Sequence, residues 1–232
     1  MIMNPLTHHV YNLIILDESG SMQSIKQPTI SGFNEVVETI RSVSAQFPEQ
    51  EHFVSLVSFN SDGIKSIHWS EAASRIDKID DNMYRPNGST PLFDAIGQSV
   101  NRLKNELPGN RGYNVLVTIL TDGEENASRN YTAEQISKLI SQLKEQAWTF
   151  AYIGANHNIV EAASKLSITN TLEFKANDAD MAAMFDTERE ARYHYYKKVS
   201  KNSRSTSLDQ GYFAHLKPEA PVDEQTPVDD KD

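Results

Sequence analysis

The sequence predicts a doubly wound α/β domain, with a mainly parallel six-stranded sheet, one antiparallel edge strand and helices on both faces. Short, nearly continuous apolar runs alternate with amphipathic stretches, as strands buried on both sides alternate with the helices that cover them. A hairpin-type turn, Asn60-Ser61-Asp62-Gly63, breaks that alternation and sends one strand back antiparallel. Hydrophobic residues make up 38% of the chain and charged residues 23%, which is the balance of a globular protein rather than a disordered one.

Residues 10–16 (VYNLIIL) read as the first strand. A helix follows over about residues 30–47, where Ile30, Phe33, Val37, Ile40 and Phe47 return near the helical period and Pro48 closes the run. Residues 53–59 (FVSLVSF) form the second strand, and residues 64–69 alternate as the half-wet edge strand should. Residues 71–90 are polar and show no usable period. Thr90 is expected to cap the next helix, with Pro91 in its first position and Leu92, Ile96, Val100 and Leu103 on one face; Pro108-Gly109 ends it.

Residues 115–120 (VLVTIL) are apolar enough to lie at the centre of the sheet. Thr132 caps a helix running to about Gln146, residues 148–153 form the fifth strand, residues 159–166 a short helix, and residues 171–174 the sixth strand. A last helix is expected over residues 180–199, acidic early and lysine-rich late, which suits the helix dipole. The folded domain is therefore expected at residues 8–200. Residues 201–232 read as an acidic, proline-containing, disordered tail.

A net charge of −10 argues against nucleic acid as a partner, since phosphate backbones would be repelled. The absence of cysteine excludes disulfides, zinc ribbons and thiol catalysis. Residues 1–9 carry no basic, apolar leader, and no stretch reaches the roughly 18 apolar residues of a membrane span. A cytoplasmic protein that does not enter a membrane is expected.

Three polar segments fall where this architecture would gather them: Asp17-Glu18-Ser19-Gly20-Ser21 after the first strand, Gly88-Ser89-Thr90-Pro91 before a helix, and Thr121-Asp122-Gly123 after the central strand. In doubly wound sheets, ligands bind beyond the carboxyl ends of the strands. The groups are carboxylates and hydroxyls, hard oxygen donors that suit Mg²⁺, Mn²⁺ or Ca²⁺ rather than zinc or copper. Taken singly, each segment is an ordinary turn or helix cap; their joint placement is what points to a metal.

Asp17-x-Ser19-x-Ser21, the distant Thr90 of Thr-Pro-Leu-x-Asp-Ala, and Asp122-Gly resemble the metal-ion-dependent adhesion site of von Willebrand factor A (vWA) domains, whose fold is Rossmann-like. The run Asp122-Gly-Glu-Glu-Asn further resembles bacterial intracellular members of that family. The resemblance covers about residues 8–200. It implies that Ser19, Ser21 and Thr90 touch the cation directly, and that Asp17 and Asp122 act largely through water. The open coordination position goes to an Asp or Glu carboxylate of a partner protein. Three neutral hydroxyls leave the cation electron-poor, which favours such an anion. By analogy with intracellular relatives, the implied role is a non-enzymatic adaptor, for instance to an AAA+ ATPase.

The alternative is a Mg²⁺-dependent phosphohydrolase with Asp17 as nucleophile and Asp122 as metal ligand. Phosphatases of the haloacid dehalogenase type, however, place a second Asp two residues after the nucleophile, where this chain has Ser19. A further reading has the metal only stiffening the loops, with the binding surface elsewhere. Glu18, Glu124 and Glu125 are expected as solvated loop charges, and Asp94 as a structural carboxylate in the first turn of its helix. The histidines, His157 among them, lack metal-ligand spacing, and Tyr193, Tyr195 and Tyr196 read as helix packing.

Overall fold

A computed structural model describes residues 7–107, 112–155, 158–201, 206–209 and 211–214. The sheet has six strands: β1 (His8–Asp17), β2 (Gln50–Asn60), β3 (Gly63–Ala72), β4 (Tyr113–Thr121), β5 (Trp148–Ala155) and β6 (Asn170–Phe174). The helices are α1 (Lys26–Gln46), α2 (Leu92–Glu106), α3 (Ala133–Lys144), α4 (Ile159–Lys165) and α5 (Asp178–Lys201). The strand order is β3-β2-β1-β4-β5-β6. All neighbours are parallel except β2 and β3, which pair antiparallel across the Asn60–Gly63 turn. The expected fold class, including the antiparallel edge, is the observed one.

The winding places the two β1 neighbours on opposite sides: β2 is reached through α1, and β4 through α2. The reversal therefore falls between β1 and β4, at the carboxyl ends where Asp17 and Thr121 stop their strands. Leu16 is in register with Leu120 there, and Asp17 with Phe59 of β2.

Strand alternation sorts the core into two layers. Val10, Ile14 and Leu16 of β1 pack with Phe33, Val37 and Ile40 of α1 and with Met181, Phe185 and Tyr196 of α5. Leu13 and Ile15, pointing the other way, pack with Ile96 and Val100 of α2, Ile136 and Ile140 of α3, and Ile159 of α4. Both layers are apolar because the central strands have no wet face. β3, at the edge, has a largely half-exposed one.

Several boundaries differ from expectation for identifiable reasons. α1 begins at Lys26, fed by a 3-10 turn over Gly20–Ile25, and tolerates Pro28 because first-turn N–H groups have no intrahelical acceptor. Thr90 does not cap α2: the N-cap is Pro91, and the loop after β4 does the capping instead. Glu125 accepts from the Phe93 N–H at 2.9 Å and Ser128 Oγ from the Asp94 N–H at 3.0 Å. Thr132 caps α3 as expected, in a reciprocal box with Gln135. Within residues 71–90 the chain makes a 3-10 turn at Ala73–Arg75 and buries Ile76, Ile79 and Tyr84.

Packing continues beyond Lys201. Leu208, Tyr212 and Phe213 are buried, and Asp209 accepts from the Phe150 N–H at 3.1 Å and pairs with Lys144 at 2.7 Å. Residues 215–232 of the expected tail, together with Pro108-Gly109 and His157, lie outside the described residues. Among the described residues no helix is long and apolar enough to cross a membrane.

Candidate metal centre

The five residues expected at the metal, Asp17, Ser19, Ser21, Thr90 and Asp122, come together at the carboxyl edge of β1 and β4. Asp17 ends β1 and is fully buried. Its Oδ1 accepts the Ser19 N–H at 2.7 Å, curling the loop back on itself, and its Oδ2 accepts the Thr121 hydroxyl at 2.6 Å. Ser21 donates its hydroxyl to Asp122 Oδ1 at 2.6 Å, joining the first loop to the third across 101 positions of sequence. Ser19 Oγ lies 3.2 Å from Ser21 Oγ.

The middle loop is fastened to both others. The Gly20 N–H donates to the Gly88 carbonyl at 3.0 Å. Thr90 exchanges bonds with Asn126: its N–H reaches Asn126 Oδ1 at 2.9 Å, and the Asn126 N–H reaches the Thr90 carbonyl at 3.1 Å. A β-carbon on Gly123 would stand 3.7 Å from Thr90 Oγ1 and 3.8 Å from Ser21 Oγ, so hydroxyls from two loops border the third. Gly88 is required for two reasons: its φ is +74°, and a β-carbon would come 2.2 Å from Ser61 Oγ.

Glu18 is a correction to the expectation of a solvated charge. It is buried and accepts from the Ser58 hydroxyl, the Arg85 N–H and, at 3.2 Å, the Lys65 ammonium. Glu125 is another. Besides Phe93 it accepts from the N–H groups of Ala127 and Ser128 and from the Ser128 hydroxyl, at 2.6–2.8 Å. Glu124 is exposed, as expected. Asp94 is structural: it accepts from the N–H groups of Arg129, Asn130 and Tyr131 and from the Asn130 side chain, at 2.9–3.0 Å.

Sequence reasoning missed the supports behind the donors. Thr121 belongs to the third polar segment but was given no role there, yet its hydroxyl holds Asp17. Tyr84, the one aromatic residue in an otherwise unassignable stretch, donates its phenol to the Asp17 carbonyl at 2.6 Å. Asn126 carries the position of Thr90. A polar residue at the end of a central strand, as Thr121 is, was the available signal for the first of these.

Electrostatically the pocket is short of positive charge. Burial pushes the Asp17 carboxyl up to about 6, against the lowering effect of the Thr121 and Ser19 donors; the nearby Asp122 charge adds to the rise. A divalent cation would supply the missing counter-charge, and the donor set present, carboxylates and hydroxyls, fits one. Among the described residues no group of three or more His, Asp or Glu side chains could hold a metal, so any site here depends on the hydroxyls. Ser21 spends its proton on Asp122, so in its contact with Ser19 it accepts, and its second lone pair is what it can turn to an ion.

An open, mostly parallel sheet with an oxygen-lined crevice at its switch point defines a class of Rossmann-like domain that binds ligands at this edge. The sequence profile of the von Willebrand factor type A domain matches residues 13–190, and the chain belongs to that family. Domains of this family are typically metal-dependent protein-interaction modules, and they often bind a divalent metal. Among curated proteins none matches.

Among solved structures, the fold is similar to a von Willebrand factor type A protein from Catenulispora acidiphila, at 16% identity and TM-score 0.53, over 79% of this chain and 42% of that one. It is also similar to the PilB minor pilin from Streptococcus sanguinis, at 13% identity and TM-score 0.55, over 83% and 63% of the two chains. The pilus adhesin SpaC from Lactobacillus rhamnosus GG, in an open conformation, matches at 15% identity and TM-score 0.57, over 84% and 30%. The chain thus spans less than two thirds of each of these proteins, and at such identities the likeness is one of fold.

Proposed function

We propose that this vWA domain is a cation-dependent adaptor: Asp17, Ser19, Ser21, Thr90 and Asp122 hold Mg²⁺, with Mn²⁺ or Ca²⁺ as substitutes, and the ion captures an Asp or Glu carboxylate of a partner protein. The observation that carries this reading is the Ser21–Asp122 hydrogen bond at 2.6 Å beside the buried Asp17, which draws loops distant in sequence around one oxygen-lined point. The bound ion would act as a Lewis acid toward the incoming carboxylate. The chain's own residues position it and, without it, repel the same acid through Asp17, Asp122 and the exposed Glu124.

A non-enzymatic role is favoured over phosphohydrolysis by the state of Asp17. A nucleophilic carboxylate needs an accessible oxygen, whereas Asp17 is fully buried with each oxygen already accepting a hydrogen bond. We extend the reading to a cytoplasmic, bacterial adaptor on the strength of the Asp122–Asn126 run, with an AAA+ ATPase or another intracellular complex as the class of partner.

Isothermal titration with MgCl₂ tests the first half, and capture of proteins with and without EDTA tests the second. Magnesium binding that is lost in Asp17→Ala, and capture that is lost with chelator, are expected. Capture indifferent to EDTA and to Ser21→Ala would move the binding surface elsewhere. Turnover of a generic phosphate ester, abolished by Asp17→Asn, would establish the enzyme instead.

A further inference from the structure

A cavity of 340 Å³ opens beside the metal centre, within the size range of ligand pockets (about 300–1,000 Å³). Leu92 and Phe93, which open α2 just after Thr90, form one wall; Glu124, two residues after Asp122, stands at another; Tyr152 of β5 and Leu166, at the end of α4, complete it. Two loops of the metal centre therefore continue directly into this cavity.

We propose that the cavity receives a lysine or arginine side chain from the same partner segment whose carboxylate reaches the cation; this rests on the metal-site reading above. Three carboxylates line the cavity, Glu124, Glu125 and Glu161, against the single ammonium of Lys165. That ammonium is 2.8 Å from Glu161, so Glu124 and Glu125 leave the mouth negative. Glu125 is pinned by backbone donors, whereas Glu124 is exposed and available to a visiting cation. The apolar lining, Leu92, Phe93 and Leu166, suits the methylene stem of a long cationic side chain.

The surrounding surface is suited to contact. Among the described residues the exposed large hydrophobic side chains are Met83, at 38%, and Val160, at 63%. Val160 stands in the first turn of α4, beside the cavity. Met83 lies in the loop between β3 and α2 that packs on the first metal loop. Both sit at the carboxyl end of the sheet, one to either side of the centre.

The test is a selection of short random-sequence peptides displayed on phage, made on the full chain in MgCl₂ and repeated in EDTA. The expected result is recovery, in magnesium only, of peptides with an Asp or Glu and a Lys or Arg at a constant offset from it. Glu124→Gln should weaken a synthetic selected peptide about tenfold, and should leave unchanged the counterpart in which Met replaces the basic residue. Magnesium-dependent, acid-bearing peptides with an apolar or unrestricted residue at that offset overturn this proposal and leave the metal reading standing. Peptides without an acid, equal recovery in EDTA, or no recovery overturn both.

Discussion

Arg192 of α5 reaches Asn12 of β1 across 180 positions of sequence, Nη1 to Oδ1 at 3.1 Å. The same guanidinium donates to Thr118 of β4 at 2.8 Å and to Glu188 one turn earlier at 2.9 Å, all of it buried. α5 is thereby fastened to the two strands that end at Asp17 and Thr121. Arg192→Met leaves Glu188 as a buried charge with no counter-charge and only the Tyr212 hydroxyl, at 3.2 Å, as a donor among the described residues, and should cost about 3–5 kcal/mol in urea unfolding. Arg192→Met with Glu188→Met should recover much of that loss. A single-variant cost under about 1 kcal/mol would show that the pair does not hold the helix.

Bound magnesium should raise thermal stability, because only the folded chain gathers the hydroxyls of Ser19, Ser21 and Thr90. At about a hundred times the dissociation constant the gain is about 2.7 kcal/mol. The melting temperature should rise with MgCl₂, fall back with EDTA, and stay flat in Ser21→Ala. An equal rise in Ser21→Ala would place the ion elsewhere.

Asp94→Asn should loosen the loop after β4. Burial opposes ionisation of Asp94, but the N–H donors of Arg129, Asn130 and Tyr131 prevail and hold its carboxyl below the usual range. Its contribution is therefore present above the ordinary carboxylate range and lost as pH falls through the lowered value. Asparagine offers one acceptor where four donors converge, at a cost of about 1.5–3 kcal/mol. Amide exchange at residues 129–131 should accelerate in the variant, and unchanged protection there would contradict this role.

His52 makes the fold acid-sensitive. Burial, helped by the charges of Arg192 and His8, lowers its imidazole to about 3 from the ordinary 6.5. The unfolded chain thus binds a proton that the folded chain refuses, so stability is full above pH 6.5 and declines between there and about 3. The slope is about 1.4 kcal/mol per pH unit. Urea unfolding across that window should show a shallower decline in His52→Gln than in the parent; parallel curves would exclude His52 as the cause.

At Gly32, α1 packs directly against the Phe185 ring of α5. A β-carbon there would fall 2.0 Å from Phe185 Cδ2. Alanine gains about 1 kcal/mol of helix propensity, but forcing the ring aside costs about 1–3 kcal/mol, and more where packing cannot yield. Gly32→Ala should therefore destabilise, and Gly32→Ala with Phe185→Leu should restore stability. A more stable single variant would contradict the contact.

The alternation of buried strands and amphipathic helices was legible in the chain because it is local. Residues 115–120 can satisfy their apolar side chains only between two layers, and the Asn60–Gly63 turn can only reverse a strand. The order of Asp17, Ser19, Ser21, Thr90 and Asp122 was legible for a similar reason, since each sits at a strand end or helix start.

Partner choice among polar groups was not legible, because it depends on which loops the sheet brings together. Thr90 looked like a helix cap, but Glu125 and Ser128 arrive from beyond β4 and take that role. Glu18 looked solvated until β2 and β3 placed Ser58 and Lys65 against it. Tyr84 found the carbonyl of Asp17 from a stretch with no period at all. Leu208, Tyr212 and Phe213 are too sparse to show a pattern, yet the finished core covers them. Periodicity determines which face of an element is buried; hydrogen bonds between distant loops are decided only when the folded sheet sets those loops side by side.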